Sequence, residues 1–204
     1  LSRINPNAWH NFYHCVGSTY GTWLRGDPRG FRTFKHIEHV DGDYKQPPPD
    51  IYQPLFEYHK KKLKYLPVKL SQEQQRVLCS AMIESLHADK ALPVALAVAV
   101  NHFHLLARFD EMSPELLEKY QSQLLADERD PSPRFYLGRA RQFAVHQLAK
   151  QNLKSPGPVW ATKPTCKPVH SRSHQLAVAR YIQSHAREGA AIWHIKHGLM
   201  FDVP

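Results

Sequence analysis

Two histidines spaced two apart, His102 and His104, are the residues in this chain best suited to chemistry. They stand in the run Asn101-His102-Phe103-His104-Leu105-Leu106, and polar and apolar positions alternate onward towards Phe109. Successive side chains of a strand point to opposite faces, so both imidazoles should emerge on one side while Phe103 turns to the other. Two neutral imidazoles can hold one divalent ion. Arg108 shares their face, where a guanidinium can approach a phosphate. Phe103, Leu105, Ala107 and Phe109 would form the apolar face that packs on helices. In a chain with 14 histidines, an isolated His-x-His is more often structural than ligating, so the neighbouring elements must decide.

Those elements can be read from caps, periodicity and punctuation. Residues 9–20 read as a first strand, leaving into a loop marked by Gly21, Gly26 and Gly30 and stiffened at Pro47-Pro48-Pro49. A short basic helix is expected over 55–64. Ser71 stands as an N-cap before Gln72-Glu73-Gln74, with Val77, Leu78, Ala81, Met82, Ser85 and Leu86 in helical spacing. Residues 94–100 and 102–109 read as adjacent strands. Pro114 suits the first position of a helix carrying Leu116, Leu117, Tyr120 and Leu124 on one side, closed by Asp127, Glu128 and Asp130. Further helices are expected over 139–151 and 173–187, with Ser155-Pro156-Gly157-Pro158 between them. This order predicts an α+β fold, a ferredoxin-like antiparallel sheet with helices on one face plus a C-terminal helical appendage. Residues 1–152 are the expected domain and 153–204 the appendage.

Composition bounds the partners. Lys and Arg exceed Asp and Glu by 27 to 18, a formal charge of +9 on 204 residues, of which 42% are hydrophobic. That hydrophobic content excludes a disordered or fibrous chain, and the charge points to a polyanion, nucleic acid ahead of an anionic surface. The longest apolar stretch, Ala91 to Val100, contains Pro93 and is too short to span a bilayer. Cys15, Cys79 and Cys166 are odd in number, far apart in sequence and lack a C-x-x-C pair, which fits a reducing cytoplasm.

The run Asn101-His102-Phe103-His104-Leu105-Leu106 resembles the HUH strand, histidine, bulky hydrophobe, histidine, of insertion-sequence and REP-associated tyrosine transposases. Thr19-Tyr20-Gly21-Thr22-Trp23-Leu24-Arg25-Gly26-Asp27 is similar to a stretch that follows the first strand in a subset of these transposase-like proteins. The resemblance runs from about residue 9 to residue 150, and more loosely through Tyr181-Ile182 to Trp193. It implies that the histidine pair holds Mg²⁺ or Mn²⁺. It implies further that a tyrosine attacks the scissile phosphate, displaces a 3′-hydroxyl and leaves a 5′-phosphotyrosine, and that a second 3′-hydroxyl reverses the step to join ends of single-stranded or hairpin DNA.

The same resemblance implies that the tyrosine lies on a helix, with a polar residue four positions on completing the metal site from the same face. On the 139–151 helix the aligned pair is Phe143 and Gln147. Gln147 can serve as a ligand, but Phe143 has no hydroxyl. Tyr136, seven residues earlier, shares that face if the helix is continuous through Gly138, and is the stand-in nucleophile. Tyr181 and His185 have the four-residue spacing too, and packing is the commoner role for each of the two tyrosines. DNA contacts are expected at Arg25, Arg29, Lys60, Lys61, Lys62, Arg108, Lys163, Lys167 and Arg172, and a homodimer is among the assemblies the resemblance allows. Three functions follow: a transposase-like enzyme of DNA transposition; a domesticated or inactive nucleic-acid-binding protein that keeps the fold without the catalytic tyrosine; and a metal hydrolase whose ion activates water.

Overall fold

A capping box opens the second helix in the computed structural model, which describes residues 11–28, 52–110, 113–121 and 132–200. Arg29, the Pro47-Pro48-Pro49 stretch and the acidic residues at 127–130 lie outside the described residues. In the capping box, Ser71 Oγ accepts from the Gln74 amide at 3.2 Å, and Gln74 Oε1 accepts from the Ser71 amide at 2.8 Å. Two of the amides that a helix start leaves without partners are thereby satisfied. The helix so begun, α2, spans Gln72–Ala88; the shorter basic helix before it, α1, spans Gln53–Lys61.

The remaining elements run β1 (Phe12–Ser18), then, after α2, β2 (Leu92–Val98), β3 (His102–Arg108), α3 (Pro114–Gln121), α4 (Ser132–Lys150), β4 (Thr165–Pro168), α5 (Arg172–Ser184), β5 (Ala191–His194) and β6 (Gly198–Met200). The strands form one sheet in the order β4-β1-β3-β2-β5-β6. The β1/β4, β2/β3, β2/β5 and β5/β6 pairs are antiparallel. So are β1 and β3: the Phe109 amide donates to the Asn11 carbonyl, while a side chain at Gly17 would run into the Phe103 ring, placing the start of β1 beside the end of β3. The series β1-α2-β2-β3-α4-β4 is the split βαβ arrangement of a ferredoxin-like fold. The α+β antiparallel architecture expected from the sequence is therefore present.

Sheet parity separates two cores. On one face Phe103 and Leu105 are fully buried, as are Leu78, Met82 and Leu86 of α2 and Leu137 and Leu148 of α4. On the other, Phe12, Ala95, Ala97, Leu106 and Ile192 of the sheet cluster with Val169 and with Val178 and Ile182 of α5. Adjacent residues of β5 mark the divide: Ile192 belongs to the α5 cluster, and the Trp193 ring meets His87 of α2 at 5.7 Å. Burying Val178 and Ile182 stabilises by roughly 1.5–3 kcal/mol each relative to leaving them exposed, and this anchors α5.

Two details depart from the sequence reading. Helix α4 starts seven residues earlier than expected and runs unbroken through Gly138. The segment expected to be a helical appendage contributes three strands as well as a helix. Short strands such as Thr165–Pro168 leave almost no periodic signal.

Two compact units divide the chain along other lines than 152/153. One comprises Leu1–Gly17, Leu70–Lys154 and Lys163–Pro204; the other comprises Ser18–Lys69 and Ser155–Thr162. Within the second, the Thr19-Tyr20-Gly21-Thr22 turn is a structural knot. Thr19 Oγ1 donates to the Val68 carbonyl at 2.6 Å, Thr22 Oγ1 donates to the Thr19 carbonyl at 2.9 Å, and the Tyr20 amide donates to the Val159 carbonyl at 2.9 Å. Gly26 has φ +79°, and a Cβ there would meet the Tyr52 carbonyl oxygen and the Phe56 amide, so only glycine fits.

Candidate metal centre

Strand β3 delivers His102 and His104 to the α5 face, as the alternation requires, because Leu106 two residues on lies in the α5 cluster. The third member comes from α5. Its buried stripe, Gln175, Val178 and Ile182, continues one turn on to His185, which is buried where the helix tightens into a 3-10 turn, His185–Glu188. His102, His104 and His185 bring one ligand nitrogen each to within 4.8 Å of one another. The His104 and His185 rings stack at 4.8 Å, and His102 stands edge-on to both, at 5.0 and 5.1 Å.

Each ring has one nitrogen already engaged. His185 Nδ1 donates to Glu188 Oε2 at 3.2 Å, a contact made by the 3-10 turn, in which residues three apart eclipse. His102 Nδ1 donates to Asn101 Oδ1 at 2.7 Å. His104 Nδ1 pairs with His14 Nε2 at 3.1 Å, and these two rings stack at 5.3 Å. At His102 and His185 these Nδ1 hydrogen bonds fix the tautomer and present Nε2 as the lone pair, the usual support of a metal-binding histidine. Among the described residues, the buried Nε2 of His185 has no hydrogen-bond partner. An orphaned buried acceptor between two further imidazoles is what a metal site presents, so the residues fit a divalent ion.

Burial and neighbouring charges disfavour the charged forms of His104, His102 and His14. Burial, then the charges of His102, His185 and His14, lower His104 to about 3. His102 is lowered by burial and then by His185, against the opposing Glu188 carboxylate. His14 is lowered by burial, then by His174, Lys167 and His185. Neutral imidazole is the form that coordinates metal.

Beside the cluster stands Tyr181, four residues before His185 and so one turn along the same helix face. Its ring lies 5.1 Å from His104, 5.0 Å from His185 and 6.2 Å from His14. At 48% exposure it is open to solvent. Partial burial, and then the Glu188 carboxylate, hold its hydroxyl above the usual phenol range.

The residues singled out from the sequence fall in different places. His102 and His104 are in the cluster. Tyr136 is not: its ring stacks on Phe109 at 6.1 Å, and Phe109 belongs to the opposite face of the sheet. Phe143 and Gln147 ride on the same helix, α4, which packs with α2 on that opposite side, so Tyr181 and His185, in place of Tyr136 and Gln147, stand beside His102 and His104. The signal for this replacement was the Tyr181-x-x-x-His185 spacing. His14 and Glu188 carried no local motif at all.

Of the expected DNA contacts, Lys167 lies opposite His14 in the β1/β4 register and is exposed, as are Lys163 and Arg172. The Arg172 guanidinium donates to Gln175 Oε1 at 2.7 Å. Arg108 pairs with Asp110 at 3.6 Å. Arg25 and Lys60 to Lys62 belong to the second unit, where Lys60 pairs with Glu57 at 3.9 Å and Lys62 lies over the Tyr58 ring at 4.4 Å. No helix among the described residues is long and apolar enough to cross a membrane.

No protein-family model matches the sequence, and no curated protein matches it. Among solved structures, the chain is similar to a REP-associated tyrosine transposase solved bound to a REP hairpin. The TM-score is 0.39 and the identity 10%, over 93% of this chain and 74% of that one.

Proposed function

We propose that this protein is a metal-dependent enzyme that cuts and rejoins single-stranded or hairpin DNA through a phosphotyrosine on Tyr181, the chemistry of a transposase-like protein. The observation that carries this reading is the exposed Tyr181 ring set against His104 and His185 in a three-histidine cluster. The resemblance of the His102-Phe103-His104 strand to HUH transposases supports it, as does the formal charge of +9.

His102, His104 and His185 would hold the ion, with Asn101, His14 and Glu188 orienting them. A bound divalent ion supplies positive charge that polarises the scissile phosphate and favours an ionised Tyr181. An all-imidazole set suits a transition ion better than Mg²⁺, so Mn²⁺ is the better fit of the two ions the resemblance suggests. The Tyr181 oxygen forms a bond to phosphorus as the 3′-oxygen leaves and takes a proton. The phosphodiester energy is kept in the tyrosyl ester, so an incoming 3′-hydroxyl can reverse the step without a nucleotide cofactor. Lys167, Arg172 and Arg108 on the same unit would hold neighbouring phosphates.

The alternative reading, in which the protein binds nucleic acid without cutting it, rests on Phe143 standing where a tyrosine is expected; the Tyr181 ring beside the histidines weighs against it. Incubating the protein with Mn²⁺ and a labelled hairpin-flanked single strand, then running a denaturing gel, tests the proposal. A covalent adduct lost in Tyr181→Phe is expected. Cleavage without an adduct points instead to a metal-activated water, and binding without cleavage to a protein that no longer performs the reaction.

A further inference from the structure

Cys15 and Cys166, distant in sequence, face each other across the β1/β4 ladder. The Val169 amide donates to the Phe12 carbonyl at 2.8 Å, so Phe12 and Val169 form a hydrogen-bonded pair. Such pairs alternate with non-hydrogen-bonded ones along an antiparallel ladder. Counting inward, His14 and Lys167 are hydrogen-bonded, and Cys15 and Cys166 are not. Pro168, opposite Tyr13 in the same phase, agrees with this count, since its missing N–H would point off the open edge of the sheet.

Non-hydrogen-bonded partners sit about 4.5 Å apart at Cα, within the roughly 4.4–6.8 Å span from which a disulfide closes. The two thiols are near enough for Cys166 to act on Cys15. Cys15 is fully buried, whereas Cys166 is half-buried on the edge strand. We propose that Cys15 and Cys166 form a dithiol that closes to an intrachain disulfide when the protein meets a peroxide. The Cys166 sulfur attacks the peroxide and becomes a sulfenic acid, releasing one water. The Cys15 sulfur then displaces the sulfenic oxygen as a second water. Two thiols lose two hydrogens and two electrons, and the peroxide is reduced to two waters.

Burial and the neighbouring Cys166 push the Cys15 thiol up, which suits it to the second step rather than the first. The buried Arg141 guanidinium interacts electrostatically with Cys166. The bond would tie β4, four residues long and leading directly into α5, to the strand that carries His14. The inference rests on the ladder alone and is independent of the metal and of Tyr181.

The test treats the purified full chain, natively folded, with hydrogen peroxide, alkylates remaining thiols in denaturant, and reads intact mass and a non-reducing peptide map. Labels per chain are expected to fall from three to one, with the survivor on Cys79 and the peptides of Cys15 and Cys166 linked. A thiol reductant restores three labels. Cys79→Ala should form the same link, and Cys166→Ser should form none. Because Cys15→Ser places a hydroxyl in the core, Cys15→Ala serves as the second control and should also form none. Three surviving labels, Cys166 carried to sulfinic acid with Cys15 still free, a bond to Cys79, or a bond only between chains would each overturn the proposal.

Discussion

Helices α4 and α5 offer the same ingredients to different faces of one sheet. On α4, Tyr136 precedes Phe143 and Gln147; on α5, Tyr181 precedes His185. Both helices run along the sheet, and both tyrosine rings touch aromatic rings of, or just beyond, β3. Tyr136 meets Phe109 and Tyr181 meets His104. Those two β3-side partners differ in parity, so one tyrosine lies over the apolar face and the other over the histidines. Spacing along a helix is therefore only half of a site. The other half is which face of the strand the helix covers, and that depends on chain topology.

Tyrosine exchange tests this contrast most severely. Tyr181→Phe removes the attacking oxygen and should reduce adduct formation by about 10³-fold or more, while Tyr136→Phe should leave it within a few-fold of the unaltered protein. Phe143→Tyr should gain nothing, since its face does not see the histidines. The measurement is adduct yield with Mn²⁺ and a hairpin-flanked strand. Adduct lost in Tyr136→Phe and kept in Tyr181→Phe would reverse the assignment of the two helices.

The ligand pair gives the next largest difference. His185→Ala deletes one of three imidazoles and should weaken Mn²⁺ binding by about 100-fold or more, because the remaining two cannot replace its lone pair. Gln147→Ala should leave affinity unchanged. Calorimetry or a metal-dependent shift in unfolding temperature reads both. Equal losses in the two variants would mean that α4 reaches the metal after all.

Strand alternation placed His102 and His104 on one face, and the Ser71-x-x-Gln74 signature located the start of α2, because both depend on local geometry. The four-residue spacing of Tyr181 and His185 was visible too, but nothing local distinguished it from the Phe143 and Gln147 pair. His14 was invisible as a site residue because only the β1/β3 pairing brings it to His104, and that pairing joins residues 90 positions apart. Cys15 and Cys166 read as unrelated for the same reason. The helical reading of the last segment failed where strands of three or four residues are too short to show a period.

His14 supports a smaller prediction. It meets the cluster at His104, through the Nδ1 contact and the ring stack, so its expected part is to position a ligand rather than to supply one. His14→Ala should weaken Mn²⁺ binding by about 10–100-fold, the usual cost of losing such an outer partner. His14→Gln keeps a side-chain acceptor and should recover part of the loss. Recovery separates a hydrogen-bond role from packing, since alanine and glutamine both abolish the imidazole stack. On the α4 side no substitution should move metal affinity in this way.

The smallest effect belongs to Gly138, exposed in the middle of α4, where an added Cβ would meet nothing within 4 Å. Glycine in a helix interior costs roughly 0.5–1 kcal/mol relative to alanine. Gly138→Ala should therefore raise stability by about that amount in denaturant unfolding, with Mn²⁺ affinity and adduct yield unchanged. Gly17 is the useful opposite, because a Cβ there would run into the buried Phe103 ring; Gly17→Ala should destabilise by about 1–3 kcal/mol. If α4 serves the fold and α5 the chemistry, stabilising α4 changes the midpoint and nothing else. A change in adduct yield from Gly138→Ala at constant metal affinity would show that α4 is coupled to the reaction and that the two helices are not divided by face.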